Sequence, residues 1–556
     1  MVEVARFPVV KTLDIPQGTP EYEEKRSALL QTFWDKVPAE YRLPPSTIND
    51  PPIDVSKIPV TCGILTSQEI DITENYDATA LAEAIASKKY TAVAVATAYS
   101  KRAIICHQLT CCLTQWFPES AIEQARQLDD YLERNGKPIG PFHGVPISIK
   151  EHMPISGASS SYGSFGSTVK DDKDSLMVKI LRDLGAVFYV KTNQPQTIMH
   201  FESDSHFGRV LNPFNIHLSA GGSSGGEAAL IAMHGSPIGL GTDIGGSVRG
   251  PSALCGIYGF KPTSYILPMK GFLSHGLPAE LNILASPGPM CRSLRDMELF
   301  VKLILSSKPH LLDPRVVPIP WTGLRTPIAK KLKIGIISND GFIQPQPPVA
   351  RAIAWAKHVL SAPKYASILE IKPFTPHDVP STWTQMRRVY LPDGDKGARD
   401  AIVSTGEPIH PLTEWILKDP VELDAVAISQ QRFGRDQFRC AFAESWTAQD
   451  VDVVIGPAFV GPAPKHDTAF YWTYTSLYNF VDYPGVVFPT PVRAEKNEVY
   501  AADYTPLGEE CAHVRRLWEE GDFEGAPINL QINARKYHDN ELFGALEVLK
   551  EALSLT

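Results

Sequence analysis

Short apolar runs bounded by glycine and proline recur along the chain, separated by stretches with helical spacing. VPISI at 145–149 is one such run, and it ends on Lys150. Others fall at 185–193, 331–338, 451–458, 483–492 and 525–534. Runs of this length with turn residues at both ends predict strands buried on both faces. Between them lie helical patterns. NYDATALAEAIAS carries Leu81 and Ile85 four apart behind a cap at Asp77, and a helix is predicted over 91–112. SAIEQARQLDDYLERNG predicts a helix with Ser120 as N-cap and Gly136 as the left-handed residue that ends it. Strands alternating with helices predict an α/β fold, with a mixed, twisted sheet core flanked by helices. Residues 1–60 read as an N-terminal arm, a polar helix at 21–37 followed by a proline-rich extended stretch. Residues 61–556 read as one large domain. Within it, 310–450 is less punctuated and richer in Trp, Arg and Pro, which fits either a substrate-shaping region or a covering layer of helices.

Composition narrows the function. The 556 residues are 43% hydrophobic, enough for a large core, and the net charge is −9. No Lys/Arg block exceeds a pair, which argues against a nucleic-acid surface or a polybasic membrane patch. MVEVARFPVV lacks the pattern of a signal peptide, and no apolar stretch approaches the roughly 20 residues of a membrane span, so a cytoplasmic protein without a transmembrane anchor is expected. Of eight cysteines none forms a C-x-x-C pair, and CHQLTCC at 106–112 reads as part of an apolar helix rather than a metal site with His107.

The segment 221–250, GGSSGGEAALIAMHGSPIGLGTDIGGSVRG, holds ten glycines and four serines. A flexible tether is excluded because EAALIAMHGSP reads as a helix, with LGTDIGG after it as a turn. A phosphate loop is not supported, since neither G-x-x-x-x-G-K-[ST] nor G-x-G-x-x-G is present and Glu227 stands where a cation would help. Residues 221–225 match G-x-S-x-G, but the preceding NIHLSA is a poor strand and no HGGG sequence accompanies it. What remains is two glycine loops on either side of a helix.

These loops, together with VPISIKE, resemble the signature of the amidase-signature family of serine hydrolases. GGSSGGEAAL and GLGTDIGGSVR carry the resemblance, and KTNQPQT and SALCGIYGFKPT place it nearest fungal acetamidases, general amidases and fatty acid amide hydrolases. It covers roughly 65–310 and resumes at VDVVIGPA and GAPINLQINARKYHDNELFGAL. The resemblance implies Ser247 as nucleophile, Ser223 as bridging serine after a cis Gly222–Ser223 peptide, and Lys150 as base. It implies an oxyanion hole from the N–H groups of Ile244, Gly245, Gly246 and Ser247, and an acyl-binding wall that includes Ile198, with Thr197 and Met199 weaker candidates. It also implies a small-molecule amide as substrate, an acyl-enzyme intermediate and no cofactor or metal, and it leaves a homodimer open. Val248 and Gly250 depart from the family pattern beside the nucleophile, which bears on substrate shape more than on catalysis.

Elementary chemistry agrees with those roles. A serine hydroxyl needs a base, and a lysine can serve only if desolvation lowers its pKa, as the end of an apolar strand would ensure. Neighbouring Glu151 should then point to the opposite face. Glycines before the nucleophile let backbone amides approach an oxyanion, each such donor contributing about 2.7–4 kcal/mol. Asp243 and Arg249 read as a structural pair, Ser224 as a loop-holding hydrogen-bonder, and Lys261 as a solvated or structural lysine. Two other functions stay open at this point: the amidase subunit of a glutamine-dependent amidotransferase, which usually carries serine at the position of Glu227, and a non-catalytic binding protein of the same fold.

Overall fold

The structure is a computed structural model that describes residues 8–273, 282–328 and 330–556. The first seven residues of the predicted arm, and with them most of the stretch read for a leader, lie outside the described residues. Eleven strands form one sheet: β1 (Leu113–Trp116), β2 (Pro146–Lys150), β3 (Val187–Thr192), β4 (Ile238–Asp243), β5 (Tyr258–Lys261), β6 (Ser286–Cys291), β7 (Leu332–Ile336), β8 (Leu369–Pro373), β9 (Val453–Pro457), β10 (Gly485–Arg493) and β11 (Pro527–Ala534). Their spatial order is β1-β3-β2-β4-β6-β5-β10-β11-β9-β7-β8. The sheet is mixed: β3, β2 and β4 run parallel, as do β9, β7 and β8, and antiparallel pairs join the two groups. β2, β3, β4, β9 and β11 are buried at every residue, as near-continuous apolar runs require.

The helices cover both faces. Helix α1 (Ala92–Thr110) is capped by Thr91, whose hydroxyl accepts the N–H of Ala94, and it ends on Cys111 in the left-handed conformation. Asp77 caps the helix Ala78–Ala86 as the sequence indicates. Cys106, Cys111 and Cys112 are buried, and His107 accepts the amide N–H of Leu113 at Nδ1 rather than facing a cysteine cluster. Two predicted local features are corrected. The helix Pro118–Asn135 starts two residues before Ser120, because proline fits its first turn, where no N–H is needed; Ser120 lies inside that turn and Phe117 at the cap. The run LGTDIGG is not a turn: most of it lies in the central strand β4. Its glycines mark close approach. A Cβ on Gly239 would come within 2.0 Å of Glu227 Oε2, and one on Gly241 within 2.8 Å of Ser224 Oγ. Glycine in this strand lets helix α2 (Gly225–Ala232) lie against the sheet. NIHLS does form a short strand, paired with Leu211–Asn212 outside the large sheet.

None of the described helices is long and apolar enough to cross a membrane.

Candidate active site

The end of β2 places Lys150 beside the first glycine loop. Its ammonium nitrogen lies 2.7 Å from Ser223 Oγ and 3.4 Å from Thr242 Oγ1 on the neighbouring strand β4. Lys150 is fully buried. Burial drives its pKa down to about 7, although the carboxylates of Asp243 and Glu227 pull the other way. A lysine that is half neutral near neutral pH can accept a proton, which an exposed one cannot do there. Thr242 also meets His152 Nε2 at 3.3 Å, and His152 Nδ1 meets Gln194 Oε1 at 2.9 Å. Burial first, and then the charge of Lys150, push the His152 pKa well below its usual value, so the imidazole is neutral and adds no competing cation.

The peptide bond between Gly222 and Ser223 is cis. The loop is packed so closely that a Cβ on Gly222 would sit 2.4 Å from the carbonyl oxygen of His200. Ser224 does not hold the loop through its hydroxyl, as expected from sequence; that oxygen is buried without a partner. Its backbone does so instead, donating its N–H to the Ser247 carbonyl at 3.1 Å and so tying the two glycine loops together.

The second loop leaves β4 at Asp243 and enters helix α3 (Arg249–Leu254). Asp243 and Arg249 form the expected pair, with Nε 3.0 Å from Oδ2, both groups fully buried. The same carboxylate accepts the N–H groups of Gly246 at 2.8 Å and of Val248 and Arg249 at 3.2 Å. Burial favours the protonated acid, but Arg249 outweighs it and brings the Asp243 pKa to about 2. Helix α4 (Thr473–Phe480) supplies further anchors. Asn479 donates to Asp243 at 2.9 Å and accepts from Arg249 at 2.6 Å, and Thr475 Oγ1 donates to the Gly245 carbonyl at 2.8 Å. Asp243→Asn would leave the buried guanidinium without its counter-charge. It is expected to lower stability by about 3–5 kcal/mol, read as a fall in the denaturation midpoint.

The amides of Ile244, Gly245 and Ser247 make no hydrogen bond among the described residues, leaving three free donors around the nucleophile candidate. Gly246 departs from expectation. Its N–H is already spent on Asp243, because that carboxylate gathers the amides that lead into α3. Gly246 has φ +127°, and a Cβ there would come within 2.1 Å of Thr475 Oγ1, so the position is closed to other residues.

Ser247 opens onto a narrow cleft of about 10 Å³, barely room for one water molecule. Ile198, Met199, Phe201, Ile244, Tyr390 and Trp472 are among the residues that line it; Thr197 is not. Tyr390 comes from the 310–450 region, so that region reaches the cleft rather than only covering the sheet. Its hydroxyl donates to the Ile244 carbonyl at 3.2 Å. Sequence reasoning missed Thr242, His152, Thr475, Asn479, Tyr390 and Trp472. Thr242 lies within GLGTDIGGSVR and His152 just after VPISIKE, but the other four belong to no recognisable motif and lie more than 130 residues from the loop they support.

Two further buried acids and a lysine were singled out by sequence. Glu227 faces β2 and β3, accepting from Ser148 and from Thr192 at 2.9 Å, and burial raises its pKa to about 7. Glu151 turns away from Ser223, accepting from Thr114 and from Ser161 at 3.3 Å. Lys261 is not solvated; it is 1% exposed, donates to the Pro262 carbonyl at 3.0 Å, and burial lowers its pKa to about 8. Of these two lysines only Lys150 meets a serine; Lys191, a further buried lysine whose pKa burial lowers, donates to Ser160 Oγ at 2.6 Å but sits 3.6 Å from the Asp171 carboxylate.

Comparison with known proteins bears on the family and the fold. The amidase family model matches residues 94–543. A Schizosaccharomyces pombe relative carrying an amidase name, C550.07, is 40% identical over 516 residues, spanning 92% of this chain and 95% of its own. An acetamidase of Aspergillus oryzae is 32% identical over 532 residues, 93% of this chain and 96% of its own. Among solved structures, a fatty acid amide hydrolase superposes with a TM-score of 0.88 at 32% identity, covering 97% of this chain and 95% of that one. The fold and the relatives are those of an amide-hydrolysing enzyme. The chain belongs to the amidase family.

Proposed function

We propose that the chain hydrolyses a neutral small-molecule carboxylic amide through a Ser247–Ser223–Lys150 relay and an acyl-enzyme. The observation that carries this reading is the 2.7 Å contact between a fully buried, pKa-lowered Lys150 and Ser223, one loop away from Ser247 and three free amides. Neutral Lys150 takes the proton of Ser223, which takes that of Ser247, and Ser247 Oγ bonds to the amide carbon. The negative oxygen is met by the amides of Ile244, Gly245 and Ser247. The relay then returns the proton to the leaving nitrogen as the C–N bond breaks. Water, activated by the same relay, cleaves the ester to the carboxylate. Residues 1–60 act as an arm outside this chemistry, and the enzyme works in the cytoplasm without a cofactor.

Hydroxylamine added during turnover of a primary amide tests the intermediate. The expected result is a hydroxamate that forms at the expense of the acid while ammonia release continues. Ammonia release with no hydroxamate at any nucleophile concentration would remove the acyl-enzyme. Turnover confined to glutamine would favour an amidotransferase subunit instead.

A further inference from the structure

The cleft above Ser247 contains an unpartnered side-chain donor that the reaction scheme does not use. Trp472 is 3% exposed, and its indole Nε1 is buried without a hydrogen-bond partner. Burying an unsatisfied N–H costs about 1–3 kcal/mol, so such a donor calls for an explanation. Its place in the site is fixed by Gly245. A Cβ built on that glycine would lie 3.7 Å from Trp472 Nε1 and 2.9 Å from Tyr390 Oη. The indole N–H therefore borders the loop whose free amides flank Ser247. The ring is held there on three sides, by Phe201 at 5.8 Å and edge-to-face by Trp383 at 6.1 Å and Trp415 at 5.6 Å between centroids. It cannot turn to find another partner without breaking that packing.

Tyr390 and His200 are the other polar side chains beside Ser247 in the described lining. The Tyr390 hydroxyl gives its proton to the Ile244 carbonyl, and burial keeps the phenol protonated. His200, also on the cleft wall, is kept neutral by burial, with a pKa of about 4; its Nε2 faces Thr413 Oγ1 at 3.1 Å and Asp204 Oδ1 at 3.4 Å, which leaves its buried Nδ1 an unpartnered acceptor, not a donor. Among the described residues no carboxylate or ammonium side chain lines the cleft. The lining is thus neutral and largely aromatic, and besides Ser247 and the loop amides Trp472 Nε1 is its one unpartnered side-chain donor among the described residues.

We propose that Trp472 Nε1–H is a specificity donor, and that the enzyme selects neutral amides bearing a hydrogen-bond acceptor within a few bonds of the scissile carbonyl: an ether, hydroxyl, carbonyl or aza nitrogen. This rests on the amidase reading of the same cleft. A site built to donate one hydrogen bond discriminates against the analogue that lacks the acceptor, because the buried N–H is then left unpaired.

The test uses isosteric pairs: methoxyacetamide against butanamide, and 3-methoxypropanamide against pentanamide, each hydrolysed by the native protein and by Trp472→Phe. The variant keeps an aromatic ring and removes the N–H. Inductive activation by the ether oxygen is common to both proteins and cancels when their preferences are divided. For at least one pair, the native preference in kcat/KM for the ether amide is expected to fall about tenfold in the variant, as loss of one buried hydrogen bond predicts. An equal preference in both proteins for both pairs, with Ser247-dependent turnover of all four amides, overturns the inference and leaves the amidase reading standing. Failure of the native protein to release ammonia from any amide in the series, with Ser247 unreactive toward a fluorophosphonate, removes both.

Discussion

Ser247→Ala is expected to lower kcat by about a millionfold while leaving the fold intact, since removing the nucleophile of a coupled relay costs as much as removing the whole relay. The Ser247 hydroxyl makes no hydrogen bond among the described residues, and the contact that ties the two loops together, Ser224 N–H to the Ser247 carbonyl, is backbone. The substitution therefore removes no structural partner, and the denaturation midpoint should stay within about 0.5–1 kcal/mol of native. Ser224→Ala provides the contrast. The Ser224 hydroxyl is buried and unpartnered, so its loss should cost less than about tenfold in kcat/KM. A fluorophosphonate should label the native and Ser224→Ala proteins and spare Ser247→Ala, read as a mass increment. Turnover by Ser247→Ala at a native rate would remove Ser247 from the mechanism.

How far the site was legible in the sequence depends on the kind of signal each residue carried. β2, β3, β9 and β11 stand out because strands buried on both faces leave apolar runs between glycine and proline. The strand that matters most to the site, β4, does not. Gly239 and Gly241 are there to admit Glu227 and Ser224, and a strand made thin for close packing loses the β-branched signature by which strands are read. The order of the eleven strands is likewise absent from any local pattern, since it is fixed by which runs pack together across the chain. Lys150, Ser223 and Ser247 were named through family resemblance; the hydrophobic pattern supplied only the reason a lysine at the end of β2 would lose its proton. The oxyanion loop could be read as glycine-rich, but not that Asp243 claims the Gly246 amide, because that depends on Arg249, Asn479 and the buried end of α3 acting together. Tyr390 and Trp472 were invisible for a plainer reason. Aromatic residues far along a chain are more often core than site, and here their cluster is both.

Replacing Lys150 with methionine should separate activity from stability. Loss of the base is expected to lower kcat/KM by about 10⁴-fold. The native enzyme should show kcat/KM rising with pH and levelling off above about 7, because Lys150 is protonated below that value and free to accept a proton above it. The sign for stability is opposite to that of an ordinary ion pair. The folded-state pKa of Lys150 is lowered from 10.5 to about 7, so the unfolded chain binds the extra proton between those values. Native stability from this group is therefore lowest below pH 7 and recovers as pH rises toward 10.5. The gap corresponds to about 4–5 kcal/mol at its full extent, an order-of-magnitude figure. Methionine leaves Ser223 without its partner, which costs about 1–3 kcal/mol, but it has no proton to lose. The desolvation of the lysine outweighs the orphaned hydroxyl, so Lys150→Met is expected to be inactive yet more resistant to denaturant than the native protein at pH 6. That advantage should shrink as pH rises from 7 toward 10.5, the range in which the unfolded chain still holds the proton that native Lys150 has lost. Denaturation curves for both proteins at pH 6, 7.5 and 9.5 would show it. A variant less stable than native at pH 6, or a native rate that falls as pH rises from 6 to 8, would mean that Lys150 keeps its proton in the folded enzyme and cannot be the base.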